Sequence, residues 1–178
     1  MQLNDWYNKG MSVDDYIESM TIHKESLLHI YDHFQLPEKL SLDNQSLRVI
    51  VLTEDWCGDA MLNIPVLLRI AEKSDMPVRI LLRDDNLELM DQFLTNGKSR
   101  SIPIFIFIDE DGKEVAKWGP RAEKIQEFVD NAREQLPSRE ATDFEEKQKE
   151  MYLFLTKSYR DNQDMWNAVY SSIKNTLV

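Results

Sequence analysis

The feature that most restricts the fold of this chain is an alternation of strand and helix that occurs twice and then gives way to a hairpin. The apolar, β-branched run RVIVLT (48–53) leads directly into a helical pattern at 57–73, and VRILLRD (78–84) leads into a shorter one. The apolar runs IPIFIFID and EVAKWG then flank turn residues at 109–112, which is typical of an antiparallel hairpin. This order predicts an α/β fold with a mixed central sheet and helices on both faces.

Helical patterns flank this unit on both sides. From Ser12, a suitable N-cap residue, apolar residues recur near the helical period as far as Phe34, which predicts one amphipathic helix. Beyond Pro137 a second apolar stripe extends to Ile173, and the polar stretch 160–164 is expected to divide it into two helices.

A chain of 178 residues is long enough for one good hydrophobic core and short for two. We therefore expect one compact domain with an N-terminal helical extension at 1–46, a central core at 47–136 and a C-terminal helical extension at 137–178. Both extensions contain enough apolar residues to pack, and we favour packing on this core, with a second copy of the chain as the alternative. The protein is accordingly expected to be a monomer or a homodimer.

The charge and the cysteine content narrow the classes of partner. A formal net charge of -11 repels nucleic acids and anionic membranes, so neither is expected as a partner. No basic leader followed by an apolar stretch is present, nor is any run of about 18 apolar residues. A single cysteine forms no internal disulfide and fits a reducing compartment. These observations favour a cytoplasmic protein whose partner is a protein or a small molecule.

The single cysteine, Cys57, lies just after the first apolar strand and at the predicted start of a helix. The unpaired N–H groups and partial positive charge of a helix N-terminus favour a thiolate over a thiol. Trp56 would shield one side of the sulfur, and Gly58 leaves room for the backbone or sulfur of a partner. The pattern points to a nucleophilic thiol, against the alternative of a buried and inert cysteine.

The segment around Cys57 resembles the thioredoxin superfamily. Residues 56–58 match its Trp-Cys-Gly start, and further matches follow in the order expected for that family within residues 47–136: Pro65 in the active-site helix, Ile102-Pro103, Asp111-Gly112 in the hairpin turn and Trp118-Gly119. The resemblance implies a thioredoxin-like fold in which a cis-proline, Pro103, faces the cysteine. It also implies that Ile102-Pro103 and the Trp118 loop present the substrate, with a core position for Trp118 as the alternative.

Two positions depart from the usual C-x-x-C motif of that family. Ala60 stands where the second, resolving cysteine would be, and Asp59 replaces the usual proline. The motif thereby resembles a bacterial subgroup of thioredoxin-like proteins with Trp-Cys-Gly-Asp. Intramolecular dithiol exchange is impossible without a second thiol. Asp59 has two interpretations, a proton shuttle or a carboxylate that only stabilises the first helical turn.

Three functions remain open for a site with one cysteine. Its thiolate can attack a mixed disulfide and be released by an external low-molecular-weight thiol, which is monothiol exchange. Peroxide can oxidise it to a sulfenic acid, or the same groove can bind a protein without any redox chemistry. Monothiol thiol-disulfide exchange through Cys57 is the leading hypothesis, with a protein or a low-molecular-weight thiol or disulfide as substrate. Whether the protein is an enzyme stays open.

Some of the charges near Cys57 are expected to raise the pKa of its thiol and others to lower it. Three carboxylates within three residues of it disfavour a second negative charge and raise the thiol pKa: Glu54, Asp55 and Asp59. The helix terminus opposes them with only about 0.3 to 1 kcal/mol, which is less than one pKa unit. Lys98 and Arg100 precede Pro103 and are the best cationic candidates. We predict that Arg100 faces the sulfur and lowers its pKa.

The sequence indicates no cofactor and no metal site. His29 and His33 share one helix face, with His23 earlier on the same predicted helix, but no cysteine or carboxylate pattern completes a ligand set. These histidines are expected to lie on a helix surface or to be partly buried.

Overall fold

A four-stranded mixed sheet lies at the centre of the residues that the structure, a computed structural model, describes: 1–38, 40–42 and 45–178. Its strands, in the spatial order β2-β1-β3-β4, are β1 (Arg48–Thr53), β2 (Val78–Leu82), β3 (Ile104–Ile108) and β4 (Glu114–Trp118). β1 pairs in parallel with β2 and antiparallel with β3, and β3 pairs antiparallel with β4. The predicted mixed sheet of an α/β fold is confirmed.

β1 and β3 form the interior of the sheet because their side chains are apolar on both faces. Val51 of β1 lies between Ile80 of β2 and Phe105 of β3, and all three are fully buried. Since β1 and β3 are antiparallel, the end of β1 lies beside the start of β3. This topology brings Cys57, just after β1, close to the segment 102–103 that precedes β3.

Helices cover both faces of the sheet. Within the described ranges they are α1 (Leu3–Lys9), α2 (Val13–Ser19), α3 (Lys24–His33), α4 (Gly58–Lys73), α5 (Leu87–Met90), α6 (Glu123–Glu134), α7 (Phe144–Asp161) and α8 (Gln163–Leu177), with one 3-10 turn at Arg83–Asp85. Eleven of the 16 residues of α4 are buried, which makes it a core helix that contacts α3, α7 and α8. None of these helices is both long and apolar enough to cross a membrane.

The N-terminal region differs from the single helix expected between Ser12 and Phe34. Ser12 does cap a helix, but the chain turns between α2 and α3. A residue distant in sequence stabilises this turn: the Asp55 carboxylate accepts hydrogen bonds from the N–H groups of Thr21 and Ile22. The apolar spacing continues across the turn, so periodicity alone shows no break. α1 was not expected either.

The terminal helices pack on the same core as the sheet. Trp6 and Tyr16 from the N-terminal region, and Trp166 from α8, belong to one contiguous cluster of buried residues with Val51 of β1. The predicted division of the C-terminal stripe is confirmed, since α7 ends and α8 begins within 160–164.

Gly119 lies at a close approach between the end of β4 and the start of β3. Its φ of 128° is a conformation that L side chains rarely adopt. A Cβ atom at this position would overlap the Pro103 carbonyl oxygen. The packing of the two strand ends therefore requires glycine here.

Gly119→Ala should lower the free energy of unfolding by about 3 kcal/mol or more, because both the backbone conformation and the Pro103 carbonyl resist a methyl group. Gly97→Ala is the matched control, since Gly97 also has a positive φ, 68°, but no atom lies within 4 Å of its Cβ position. That variant should lose only about 1 to 2 kcal/mol. Urea denaturation measures both, and equal losses would contradict the role of the Pro103 contact.

Candidate functional site

Cys57 is the N-cap residue of α4, four residues after the end of β1. Its sulfur caps the helix by accepting a hydrogen bond from the Ala60 N–H at 3.4 Å. Its thiol donates to the Ile102 carbonyl oxygen at 3.5 Å. Only 8% of the residue is exposed. The sulfur is thus held between the start of α4 and the segment before β3.

The segment that faces the sulfur contains a cis peptide bond between Ile102 and Pro103, and both residues are buried. Trp118, at the end of β4, is buried as well. Its ring stacks on Phe105 with 5.1 Å between centroids, and its indole N–H donates to the Ser172 hydroxyl of α8 at 2.8 Å. Of the two interpretations of Trp118, this geometry corresponds to a core aromatic side chain.

The two residues next to Cys57 face different surroundings. Trp56 is 46% exposed, and the Arg83 guanidinium lies over its ring, 5.1 Å from the centroid. Gly58 faces α7, because a Cβ atom on it would lie 3.0 Å from Cγ2 of Thr156. One side of the site is therefore open to solvent at Trp56, whereas the other is closed by a helix of the C-terminal extension.

Asp59 is bound by two residues that local sequence patterns did not single out. Its carboxylate forms a bidentate pair with the Arg121 guanidinium, at 2.8 and 3.0 Å, and accepts a hydrogen bond from the Tyr159 hydroxyl at 3.0 Å. Arg121 and Tyr159 lie 62 and 100 residues away along the chain. No local signal pointed to either partner, because a carboxylate in a first helical turn is favourable without a cation.

The structure does not place Arg100 at the sulfur. Its guanidinium forms a bidentate pair with Asp91, at 2.8 and 3.0 Å, and both side chains are about half exposed. Asp91 is close to Arg100 in the same loop region, and their ion pair keeps the Arg100 side chain on the protein surface. Lys98 is exposed as well. The cation whose charge acts on Cys57 is Arg121 instead.

Two of the three carboxylates near Cys57 in sequence accept hydrogen bonds from backbone N–H groups elsewhere in the chain. Glu54 accepts a hydrogen bond from the Asp84 N–H, and Asp55 accepts those of Thr21 and Ile22. Asp59 is the carboxylate among the three whose charge raises the pKa of Cys57. Closeness in sequence was therefore a poor guide to which charges act on the sulfur.

Burial is the main determinant of the Cys57 pKa. Burial and, after it, the charge of Asp59 raise the pKa of the thiol to about 11. The N–H groups of Ala60 and Asp59 and the Arg121 guanidinium act in the opposite direction. In this geometry the sulfur is a protonated thiol at neutral pH, not the thiolate that a helix N-terminus alone would favour.

The two histidines of α3 contact each other. The rings of His29 and His33 stack with 4.2 Å between centroids, and His33 Nδ1 lies 2.7 Å from the His29 carbonyl oxygen. In the part of the chain that the structure describes, no group of three His, Cys, Asp or Glu side chains is placed to hold a metal ion.

Asp59→Asn should lower the pKa of the Cys57 thiol, because it removes a negative charge that raises this pKa and leaves Arg121 in place. The rate of iodoacetamide alkylation against pH gives the pKa, and its inflection should move below the wild-type value of about 11. Asp91→Asn is the control, since Asp91 forms the same kind of pair with Arg100. An equal shift in both variants would contradict a specific effect of Asp59.

Two solved structures share the fold over nearly the whole chain. The crystal structure of an HIV epitope-scaffold matches with a TM-score of 0.67 and 12% identity, over 99% of each chain. That of a protein of unknown function from Pseudomonas aeruginosa matches with a TM-score of 0.66 and 14% identity, over 96% of this chain and 98% of that one. At these identities the likeness concerns the fold alone, and it includes the terminal helices.

Sequence comparisons identify the family. Thioredoxin H-type 1 from Nicotiana tabacum is 34% identical over 92 residues, which cover 51% of this chain and 70% of that protein. A family model described as Thioredoxin matches residues 10–133, more than half of the chain, and this range contains Cys57 and all four strands of the sheet described above. The chain belongs to the thioredoxin family.

Proposed function

We propose that this protein performs thiol-disulfide exchange through Cys57 by a monothiol route. The observation that carries the proposal is the position of the sulfur, at the N-terminus of α4 and 3.5 Å from the carbonyl oxygen that precedes the cis bond Ile102-Pro103. Helix N-termini are where proteins activate cysteine thiolates. Membership of the thioredoxin family supports a redox role in general. Ala60, where a resolving thiol would stand, restricts that role to one cysteine.

The proposed exchange has two steps. The Cys57 thiolate attacks one sulfur of a disulfide R–S–S–R′, so that a Cys57–S–S–R bond forms and R′–S⁻ leaves. An external thiolate R″–S⁻ then attacks the sulfur of R, which forms R–S–S–R″ and releases the Cys57 thiolate. Each step forms one S–S bond and breaks one, so no further oxidant or reductant is required.

The reactive form of the site is more open than the resting geometry. Cys57 is protonated at neutral pH because burial is the largest cause of its raised pKa. Solvation of the sulfur removes that cause and lowers the pKa. The Ala60 N–H and the Arg121 guanidinium then remain to stabilise the thiolate.

The proposed substrate is a protein or low-molecular-weight disulfide in a reducing compartment, such as the bacterial cytoplasm. The net charge of -11 supports this choice over nucleic acids or an anionic membrane. The Trp-Cys-Gly-Asp sequence at 56–59 supports placement in a single-cysteine subgroup of the family.

A second candidate function, protein binding without redox chemistry, is favoured by the burial of the cysteine. In that case Cys57 serves as the cap of α4 and fills the space beside Ile102, as free cysteines in protein cores do. The two candidates differ in one observable, since exchange alone forms a covalent adduct on the sulfur.

Wild-type protein incubated with oxidised glutathione should form a mixed disulfide on Cys57 that persists until a thiol is added, because no second thiol can resolve it. Ala60→Cys introduces a thiol at the residue whose N–H is 3.4 Å from the sulfur. In that variant an internal disulfide should displace the adduct, and the adduct half-life should fall at least roughly tenfold, since an intramolecular thiol has a high effective concentration. Intact-protein mass spectrometry measures the adduct.

Cys57→Ser is the control for the site of the adduct and should gain no mass. Wild-type protein unfolded in urea is the control for the reagent and should form the adduct readily. If the unfolded chain reacts but the folded protein gains no adduct after prolonged incubation, exchange is excluded and binding without redox chemistry replaces it.

A further inference from the structure

α7 lies against the start of α4, beside Cys57. The Tyr159 hydroxyl donates to the Asp59 carboxylate at 3.0 Å, and the methyl group of Thr156 faces Gly58. Gly58 and Asp59 are the two residues that follow the cysteine. The exchange chemistry proposed above uses neither Tyr159 nor Thr156, so these contacts have no role in it.

The remaining surroundings of the sulfur leave little free approach. The Ile102 carbonyl oxygen accepts the hydrogen bond of the Cys57 thiol. The buried Tyr16 is another neighbour, because the pKa of its hydroxyl is raised mainly by burial and then by the charges of Asp55 and Cys57. Trp56 is the neighbour that is exposed to solvent. Even a transient encounter with a folded protein that presents a disulfide covers roughly several hundred Å² on each partner. The place of α7 beside Gly58 occupies part of that surface.

α7 is held less firmly than the core helix that it covers. Three of its 18 residues are buried, Met151, Leu155 and Tyr159, against eleven of 16 in α4. The segment before it, 138–143, is mostly exposed. Elements with few buried side chains open at a lower free energy than the core does.

The contact between Tyr159 and Asp59 can break without leaving an isolated charge. When Tyr159 moves away, Asp59 keeps its bidentate pair with Arg121. The free hydroxyl of Tyr159 then becomes hydrated by solvent. By contrast, separation of Asp59 from Arg121 would leave two partly buried charges unpaired, which is far more costly. Opening at the Tyr159 contact therefore isolates no charge, and its main cost is the exposure of the Tyr159 ring, which is 2% exposed in the closed geometry.

We propose that α7 is a gate beside Cys57, and that Tyr159 and Thr156 determine which disulfides reach the sulfur. With the gate closed, approach is limited to small molecules from the side of Trp56. A disulfide on a folded protein reaches the sulfur after Tyr159 leaves Asp59 and α7 moves away from Gly58. The choice between substrates rests on the proposed exchange, whereas the gate itself requires only that Cys57 react with a reagent.

Tyr159→Phe tests the gate by removing one hydroxyl group while the ring stays. The two probes are iodoacetamide and a maleimide attached by a short linker to a folded carrier protein. The alkylation rate of Cys57 by the carrier probe should rise roughly tenfold to a hundredfold, the range expected for loss of a hydrogen bond to a charged group. The rate with iodoacetamide should rise by a clearly smaller factor. Tyr152→Phe, on the exposed side of the same helix, should change neither rate.

The comparison of the two probes separates a gate from an electrostatic effect. A changed pKa of Cys57 alters the thiolate fraction and accelerates both probes by the same factor, whereas an open gate favours the larger probe. Equal factors, or no increase with the carrier probe, would overturn the proposal. Amide hydrogen exchange gives an independent readout, because α7 should lose protection while β1 and β3 keep theirs; unchanged protection in α7 would also overturn it.

Thr156→Ala provides a second variant in case Tyr159→Phe does not fold. It keeps the hydrogen bond between Tyr159 and Asp59 and removes the methyl group that faces Gly58. The alkylation rate with the carrier probe should therefore again rise by a larger factor than the rate with iodoacetamide.

Different results would contradict the gate and the proposed exchange. If the variants admit the carrier probe but form no mixed disulfide, exchange is wrong and the gate stands. If wild-type protein exchanges protein and small disulfides as fast as the variants do, the gate is wrong and exchange stands.

Discussion

The bidentate pair between Asp59 and Arg121 is the interaction on which the arrangement around Cys57 depends. It joins the first turn of α4 to the segment after β4, and the Tyr159 hydroxyl connects α7 to the same carboxylate. The two charged side chains are 15% and 17% exposed, so the loss of either partner would leave a mostly buried charge without compensation. Such a loss typically costs about 3 to 5 kcal/mol. Three parts of the chain that are remote in sequence are thus fixed in position around one sulfur.

The chemistry of that sulfur is governed by the competition between burial and the helix terminus. A helix N-terminus contributes about 0.3 to 1 kcal/mol, which is less than one pKa unit. Burial and the Asp59 charge together raise the pKa of the Cys57 thiol from 9.0 to about 11, so they prevail in the closed geometry. α7 contacts the two residues after Cys57, so the proposed opening of this gate would expose the sulfur to solvent and lower its pKa. In that proposal the reactivity of the cysteine is coupled to the movement of a helix.

Local patterns in the sequence predicted most of the elements. The apolar runs of β1, β2 and β3, the Ser12 cap and the division between α7 and α8 all follow from periodicity and capping within short windows. The break between α2 and α3 did not, because the Asp55 carboxylate that holds it lies more than 30 residues further along the chain. Arg100 was assigned to the sulfur for its place before Pro103, but Asp91 is its partner. Which charged side chains in a loop form ion pairs depends on the distances between them in the folded protein. Patterns within a single sequence do not contain these distances.

By itself the sequence determined the order of strands and helices, the place of Cys57 at a helix start and the lack of a second thiol at Ala60. These are properties of short segments, set by side-chain spacing and by residue identity. The tertiary structure alone decided that Arg121 and Tyr159 bind Asp59, that Trp118 is a core residue and that the sulfur is buried. The reason is physical: burial and ion pairing depend on which surfaces meet, and here the groups that meet lie 62 and 100 residues apart.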